Sequence, residues 1–530
     1  MHITRVIVEN YRCLKSADVT LNHDLNIIVG SNECGKSTLL EAVNLALTGQ
    51  LNGRPIQAEL HPYLFNSEVV ATYISNLIAR RAAVPPKISI ELYFNDEPAL
   101  TALKGINNSQ GLNVPGVRLI IEFNSAYAAE LAAYVTDPSL IRTLPIEYYT
   151  AKLIAFTDND ITPRSIPIKP AFIDASTIRN NAAASRYVID IMRDSLTPNQ
   201  RVDLALSYRL MKDRFMEDTK VKGVNSALAE KKGGISDKVL SMTLDTSSRS
   251  TWEMGVMPHL DNIPLTLVGK GEQNTIKIKL AMESSAGSHL ILIEEPENHL
   301  SFSNLNTLIS HVANNRGSRQ LLITTHSSFV LNKLGLESVV LFSRGRSMRL
   351  NALKPGTQDY FMKLPGHDTL RLILAARAIL VEGPSDELIV QAAYKLKHGK
   401  LPLEDGIDVI SVNSLAFKRF LEIAETLKRS VSVMTDNDGS VAALKGKYAD
   451  YLTSTTTRLC YDNDEEYPTL EPQLLKASGK AALEKVLGKT FSSPDDLLKY
   501  MKSNKADVAL KFFTTAEPWN VPGYVEHAIS

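Results

Sequence analysis

Short apolar runs recur along this chain, and most are followed by a stretch with helical spacing. Asp24-Leu-Asn-Ile-Ile-Val29 reads as a buried strand, and Thr38–Leu47 as the helix after it. Ile88–Phe94 and Val117–Phe123 alternate apolar and polar positions in strand fashion. The character then changes: Ala182–Asp194, Asn199–Asp218 and Val221–Lys232 carry helical patterns. Apolar strands return at His289–Glu294 and Leu321–Thr325, with a helix over Asn274–Ser284 before them. The last third reads strand Arg377–Glu382, then helix Ser385–Tyr394 with Ser385 as its N-cap. A strand at Ile407–Asn413, a helix from about 414 to 428 and a strand at Ser430–Thr435 complete it. This β-α-β-α-β order predicts a parallel sheet with its functional groups at the strand C-terminal ends.

Composition narrows the class. A chain of 530 residues holds roughly two to four domains, and 44% apolar residues suffice for packed cores. Cys13, Cys34 and Cys460 are too few and too scattered for a zinc quartet or a disulfide framework, so a reducing cytoplasm is expected. No run of 18 apolar residues and no signal pattern occurs, so no membrane partner is expected. Lys and Arg total 58, as do Asp and Glu, and this neutral balance argues against indiscriminate DNA coating. Local pairs such as Arg80-Arg81 and Lys418-Arg419 remain as sources of positive potential, or as ordinary solvated faces.

The strand and helix around residue 30 enclose Gly30-Ser-Asn-Glu-Cys-Gly-Lys-Ser-Thr38, which fits the P-loop pattern. Its glycines let backbone N–H groups face phosphate oxygens, Lys36 can reach the β- and γ-phosphates, and Ser37 can ligate Mg²⁺. Gly30, Asn32, Gly35, Lys36, Ser37 and Thr38 are therefore candidate nucleotide-binding residues. The apolar run after His289 ends in Glu294-Glu295-Pro. Glu294 is placed to hold Mg²⁺ through the Ser37 shell, and Glu295 to orient attacking water. His326, at the end of the next strand, joins them as a candidate γ-phosphate sensor. The set resembles the ABC-type ATPases of the SMC-like class. That resemblance places Arg12, in Asn10-Tyr-Arg-Cys13, near the nucleotide base. It also implies a signature supplied in trans, for which Gly269-Lys-Gly-Glu-Gln273 is the candidate. Gly271 and Gln273 are kept there; Lys270 and Glu272 depart from the usual Ser and Gly, which implies slow hydrolysis.

In the last third, Glu382, Asp386, Asp436 and Asp438 fall at strand ends and should converge. Carboxylates so close repel one another, and oxygen-only ligation suits Mg²⁺ or Mn²⁺. Asp436-Asn-Asp-Gly439 alone is equally a common turn. Together, Glu-Gly-x-Ser-Asp and Asp-x-Asp-Gly resemble the Toprim domain.

The two constellations in this order resemble the OLD (overcoming lysogenization defect) family of ATP-linked nucleases. The fold class implied is α/β: an ABC-type P-loop ATPase with a helical insert, then a Toprim domain with a Rossmann-like parallel sheet. The ATPase would occupy 1–164 and 258–360, the insert 165–257 and the Toprim domain 368–530, with Lys354–Thr357 and Leu364–His367 marking the linker. In the family the insert holds two subunits together. Tyr467–Leu475 resembles the segment that adds a metal ligand, here Glu471. Lys505–Ala509 resembles the segment whose lysine stabilises the charged phosphate, here Lys505, with Lys502 as its rival. Asn413-Ser414 stands where the family often has a glycine. The resemblance implies ATP with one Mg²⁺, two Mg²⁺ or Mn²⁺ ions in the Toprim centre, DNA as partner, and a homodimer or larger assembly. The implied activity is an ATP-regulated, metal-dependent DNA endonuclease or nickase in prokaryotic anti-phage defence, sometimes with a second protein. The alternative is a nucleotide-sensing ATPase scaffold that assembles with a partner and does not cut alone. A topoisomerase would need a nucleophilic tyrosine on a separate domain, and the chain after Asp438 is too short for one.

Overall fold

The computed structural model describes residues 1–137, 141–174, 188–189, 192–193, 196–232, 238–247, 250–283, 289–343, 345–350, 353–412 and 416–530. Two sheets organise them. The first is a mixed sheet of twelve strands. Its centre is parallel: Pro170–Asp174, Leu290–Glu294, Gln320–Thr324, Leu25–Val29 and Val339–Ser343 lie side by side. These runs are mostly apolar because both faces are covered, as parallel sheets require. Its wing is antiparallel, built from Ile3–Tyr11, Leu14–Thr20, Ile88–Phe94, Val114–Phe123 and Tyr149–Ala155. The helix Lys36–Thr48 buries Leu39, Leu40, Val43 and Leu47 in the core beneath this wing.

The second sheet is the parallel one expected from the strand–helix order. Its strands run Ile407–Ser411, Arg377–Val381, Ser430–Met434 and Thr457–Cys460, all parallel. The fourth strand was not read from the sequence, since Thr457-Arg-Leu-Cys460 is short and half polar. The helix expected from about 414 covers Phe417–Thr426, and the Asn413-Ser414 turn lies outside the described residues. In the insert, helices Pro198–Glu217 and Thr219–Ala229 are present, the first opened by a Thr197–Gln200 capping box. Most of the helix read at 182–194 lies outside the described residues.

The segment expected to mark the linker is itself helical: Pro355 sits in the first turn of the helix Pro355–Lys363, where proline is tolerated. A second helix, Thr369–Leu374, follows. Phe361, Leu372 and Ile373 are fully buried in one apolar cluster that includes Ile27, Ile293 and Ile323 of the first sheet and Phe420 and Val433 of the second domain. Asn332, on the helix Ser328–Leu334, fastens the same joint. It donates to Pro365 O (3.1 Å) and His367 O (2.9 Å) and accepts from Thr369 Oγ1 (2.6 Å). Arg371 continues the link, donating to Asp408 Oδ1 (2.6 Å) and Val409 O (2.8 Å) and lying 3.5 Å from Glu387.

Candidate nucleotide and metal centres

Register sets the first centre. Glu294 pairs with Thr324 and Thr324 with Ile28, so the segments leaving three parallel strands emerge at one sheet edge. There Gly30–Gly35 enters the helix Lys36–Thr48. A Cβ on Gly30 would lie 2.3 Å from Phe342 O. Gly35 has φ +101°, and its Cβ would lie 2.4 Å from Leu14 Cδ2. Both positions need glycine. Lys36 is buried and folds back, donating to Gly30 O and Ser31 O at 3.0 Å each. Asn32 and Ser37 are exposed, and Thr38 Oγ1 lies 3.3 Å from Cys13 Sγ.

Glu294 is buried at the strand end, whereas Glu295 turns out of it at φ +43°, a conformation non-glycine residues seldom hold. The Glu295 N–H donates to Thr324 O at 3.0 Å, which fixes the turn. Glu295 Oε2 accepts from Asn298 Nδ2 (2.8 Å), and Oε1 stands 3.6 Å from His326 Nε2. Partial burial, then the nearby Lys36 charge, hold the His326 imidazole below the usual histidine range, against the pull of Glu295. The imidazole is therefore neutral at pH 7. The structure thus brings Lys36, Glu295 and His326 into one another's electrostatic reach.

Two supporting residues were missed in the sequence. Glu297 Oε1 accepts from Thr325 Oγ1 (2.8 Å) and from the His326 N–H (2.7 Å), so it holds the loop that carries His326. Burial raises the Glu297 carboxyl. Asn298 orients Glu295. Their signal was their place in the same Glu-Pro-Glu-Asn turn. Arg12, at φ +49°, pairs with Glu41 at 2.9 Å, and the Tyr11 hydroxyl donates to the same carboxylate. Glu41 lies on the P-loop helix, so the Tyr-Arg turn is fastened to it.

The signature string is corrected in one respect. Its helix begins at Lys270, so Lys270–Gln273 form the first turn rather than a loop before Asn274. A Cβ on Gly271 would lie 2.3 Å from His299 O, so close approach to the neighbouring turn is what this glycine serves. Gln273 Nε2 donates to Val268 O at 2.8 Å.

The second centre lies at the strand ends of the parallel sheet. Glu382 follows its strand directly, and its Oε1 accepts from Thr435 Oγ1 (2.7 Å) and the Asp436 N–H (3.3 Å). Asp386 is the third residue of the helix Pro384–His398, whose N-cap is Gly383 and not Ser385. The proline takes the first helical position, and Asp386 Oδ2 accepts from the Gly383 N–H at 2.9 Å. Asp438 is exposed at φ +48°. Glu471 is buried in the first turn of the helix Leu470–Leu487, accepting from Thr469 Oγ1 (3.0 Å) and pairing with Lys505 Nζ at 3.0 Å.

Asp436 is the electrostatic focus. Burial first, then the charges of Glu382, Asp386, Glu471 and Asp438, push its carboxyl up to about 8. Burial, opposed by the Gly383 N–H and helped by Glu382, lifts Asp386 to about 6. The other four predicted carboxylates therefore all act on Asp436. Among the described residues no three His, Cys, Asp or Glu side chains stand around one point as a ready ion cage. Glu382, Asp386 and Glu471 are instead turned to the local donors named above. The donor set itself, hard carboxylate oxygens that repel one another at half-buried strand ends, fits Mg²⁺ or Mn²⁺.

The sign of the Asp436 shift gives a test. A raised carboxyl stabilises the fold below its ordinary value near 3.8, and that contribution is lost as pH rises through about 8. In EDTA the wild-type Tm is expected to fall between about pH 4 and 8. Asp436→Asn should flatten that fall and melt higher at pH 8. Parallel curves from scanning fluorimetry would remove the assignment.

Three family matches coincide with these centres. Residues 5–114 match an AAA domain family, residues 178–331 an AAA ATPase domain family, and residues 373–438 the family described as Overcoming lysogenization defect protein-like, TOPRIM domain. The chain is an ATPase head joined to a Toprim domain. AAA-type ATPase domains with an OLD-like Toprim domain are the organisation of the OLD-family fusions. Curated relatives include the DNA replication and repair protein RecF of Glaesserella parasuis, 44% identical over 43 residues, covering 8% of this chain and 12% of that protein. RecF of Vibrio vulnificus is 33% identical over 78 residues, covering 13% and 22%. The chain thus spans less than a quarter of those relatives' length. Among solved structures, the SMC head domain from Thermotoga maritima is 13% identical, covers 66% of this chain and 97% of its own, and has a TM-score of 0.29. The recombination mediator protein RecF is 11% identical, covers 66% and 98%, and has a TM-score of 0.32. Among the described residues no helix is long and apolar enough to cross a membrane.

Proposed function

We propose that this protein is an ATP-regulated, divalent-metal-dependent DNA endonuclease or nickase of prokaryotic antiviral defence, acting in the cytoplasm as a homodimer or larger assembly. The observation that carries the reading is Asp436, half-buried just past the end of a parallel strand under four other carboxylate charges, with Lys505 beside them.

In the ATPase, the Gly30–Thr38 loop would cradle the phosphates, and Ser37 and Glu294 would hold the Mg²⁺ that accompanies ATP. Glu295, oriented by Asn298, would position the attacking water, and the neutral His326 would donate to the γ-phosphate. Arg12, held by Glu41, would face the base, and Gly271 and Gln273 would act on a partner's nucleotide. In the Toprim centre Glu382, Asp386, Asp436, Asp438 and Glu471 would hold one or two Mg²⁺ or Mn²⁺ ions. A cation bound there supplies Lewis-acid activation of water and stabilises the leaving oxygen. Lys505 would exchange its pairing with Glu471 for the charged phosphate.

Control by ATP is supported by the joint. His326 leads into Ser327, which caps the helix Ser328–Leu334; Asn332 on that helix holds Thr369; and Arg371 reaches the turn beside Asp386. Residues 1–164 and 258–360 would form the ATPase, and 368–530 the nuclease. The insert, 165–257, would join subunits, supported by Leu206, Leu210 and Met211, each more than half exposed on one helix. Supercoiled plasmid with the protein and Mg²⁺ or Mn²⁺, and no partner protein, is expected to appear nicked or linear. Plasmid left intact would favour the scaffold reading, in which a second defence protein does the cutting.

A further inference from the structure

The helix Gly523–Ile529 packs between the helix Pro384–His398 and the strands Ser430–Met434 and Thr457–Cys460. It is pinned at the rim by Lys397–Glu526 (2.9 Å) and by Arg458 donating to His527 O (3.4 Å). Its inner face carries Tyr524, 5% exposed, within the apolar cluster under the Toprim sheet. Among the described residues the Tyr524 hydroxyl has no hydrogen-bond partner. Buried hydroxyls are almost always paired, because desolvating one without a partner is unfavourable. Burial, then the charges of Asp436, Asp386, Glu471 and Glu382, hold its proton in place, so the group is a donor and not a nucleophile.

Three of those carboxylates, Glu382, Asp386 and Glu471, are turned towards Thr435, the Gly383 N–H, and Thr469 with Lys505. Holding one cation requires some of them to be re-aimed. A ligating carboxylate keeps lone pairs free on its second oxygen, and a donor behind it fixes its orientation.

We propose that Tyr524 is a positioning residue of the Toprim centre, whose hydroxyl donates its hydrogen bond to a carboxylate once a divalent cation is bound. This rests on the metal-binding reading above.

The test compares full-length wild type, Tyr524→Phe and Val525→Ala, the last a packing change on the same helix. Without metal, Tyr524→Phe should melt at or above wild type, because only an unpaired hydroxyl is removed. Its Mn²⁺ affinity by titration calorimetry should fall about tenfold or more. Val525→Ala should melt lower and keep its Mn²⁺ affinity within about twofold. Unchanged affinity in Tyr524→Phe, or an equal loss in Val525→Ala, overturns the proposal. So does early melting of metal-free Tyr524→Phe, which would mean the hydroxyl is already paired. Failure of the underlying reading looks different: wild type itself would bind no Mn²⁺, or Asp436→Asn would bind it as wild type does.

Discussion

Asp436→Ala and Glu382→Ala are each expected to reduce metal-dependent cutting to background while leaving nucleotide affinity unchanged. Asp436 sits where five carboxylate charges meet, and Glu382 touches it through its backbone N–H. Losing either should weaken cation binding beyond the roughly 10–100-fold cost typical of residues that only support a ligand. Both residues follow strands of the four-stranded sheet, whereas Lys36 and Glu295 lie at the strand ends of the twelve-stranded one. Plasmid cutting with Mg²⁺ or Mn²⁺, measured beside a fluorescent-nucleotide titration, checks both halves. Full cutting by both variants would move the chemistry elsewhere, and lost nucleotide binding would reveal misfolding instead.

The second large effect concerns the ATPase. Lys36→Ala should lose nucleotide binding, since the lysine is the buried cation of the loop and no other basic side chain reaches Gly30 O or Ser31 O among the described residues. Glu295→Gln should bind ATP and hydrolyse it on the order of 100-fold more slowly. Asn298 donates to Glu295, so the amide variant can keep the side chain in place while losing its charge. Lys270 and Glu272 stand at the first turn of the signature helix, and a lysine there would hold substrate and transition state alike, which does not raise turnover. Cutting should then respond to ATP and to a non-hydrolysable analogue alike. Full turnover in Glu295→Gln, or a response confined to hydrolysable ATP, would reverse this assignment.

The parts of the architecture legible in the sequence were those where a local pattern and the final position obey the same rule. Leu25–Val29 is apolar because it lies mid-sheet, and the loop after it is glycine-rich because Phe342 O and Leu14 press against it. Glu382, Asp386 and Asp436 were readable because parallel strands deliver their ends to one place. What escaped depends on contacts distant in sequence. Glu41 matters through Arg12, Asn332 through Thr369, and Tyr524 through carboxylates more than fifty residues upstream. The helix Pro355–Lys363 inside the linker was not legible because Pro-Gly is ambiguous: proline opens a helix as readily as it breaks one.

The buried joint around Phe361 has a practical consequence for anyone dissecting this molecule. Phe361, Leu372 and Phe420 bind the halves into one apolar mass, so a cut near residue 360 would lay bare oily surface on both pieces. Isolated fragments would tend to clump, and their silence in an assay would say nothing about the intact chain. The two halves are better taken apart one side chain at a time.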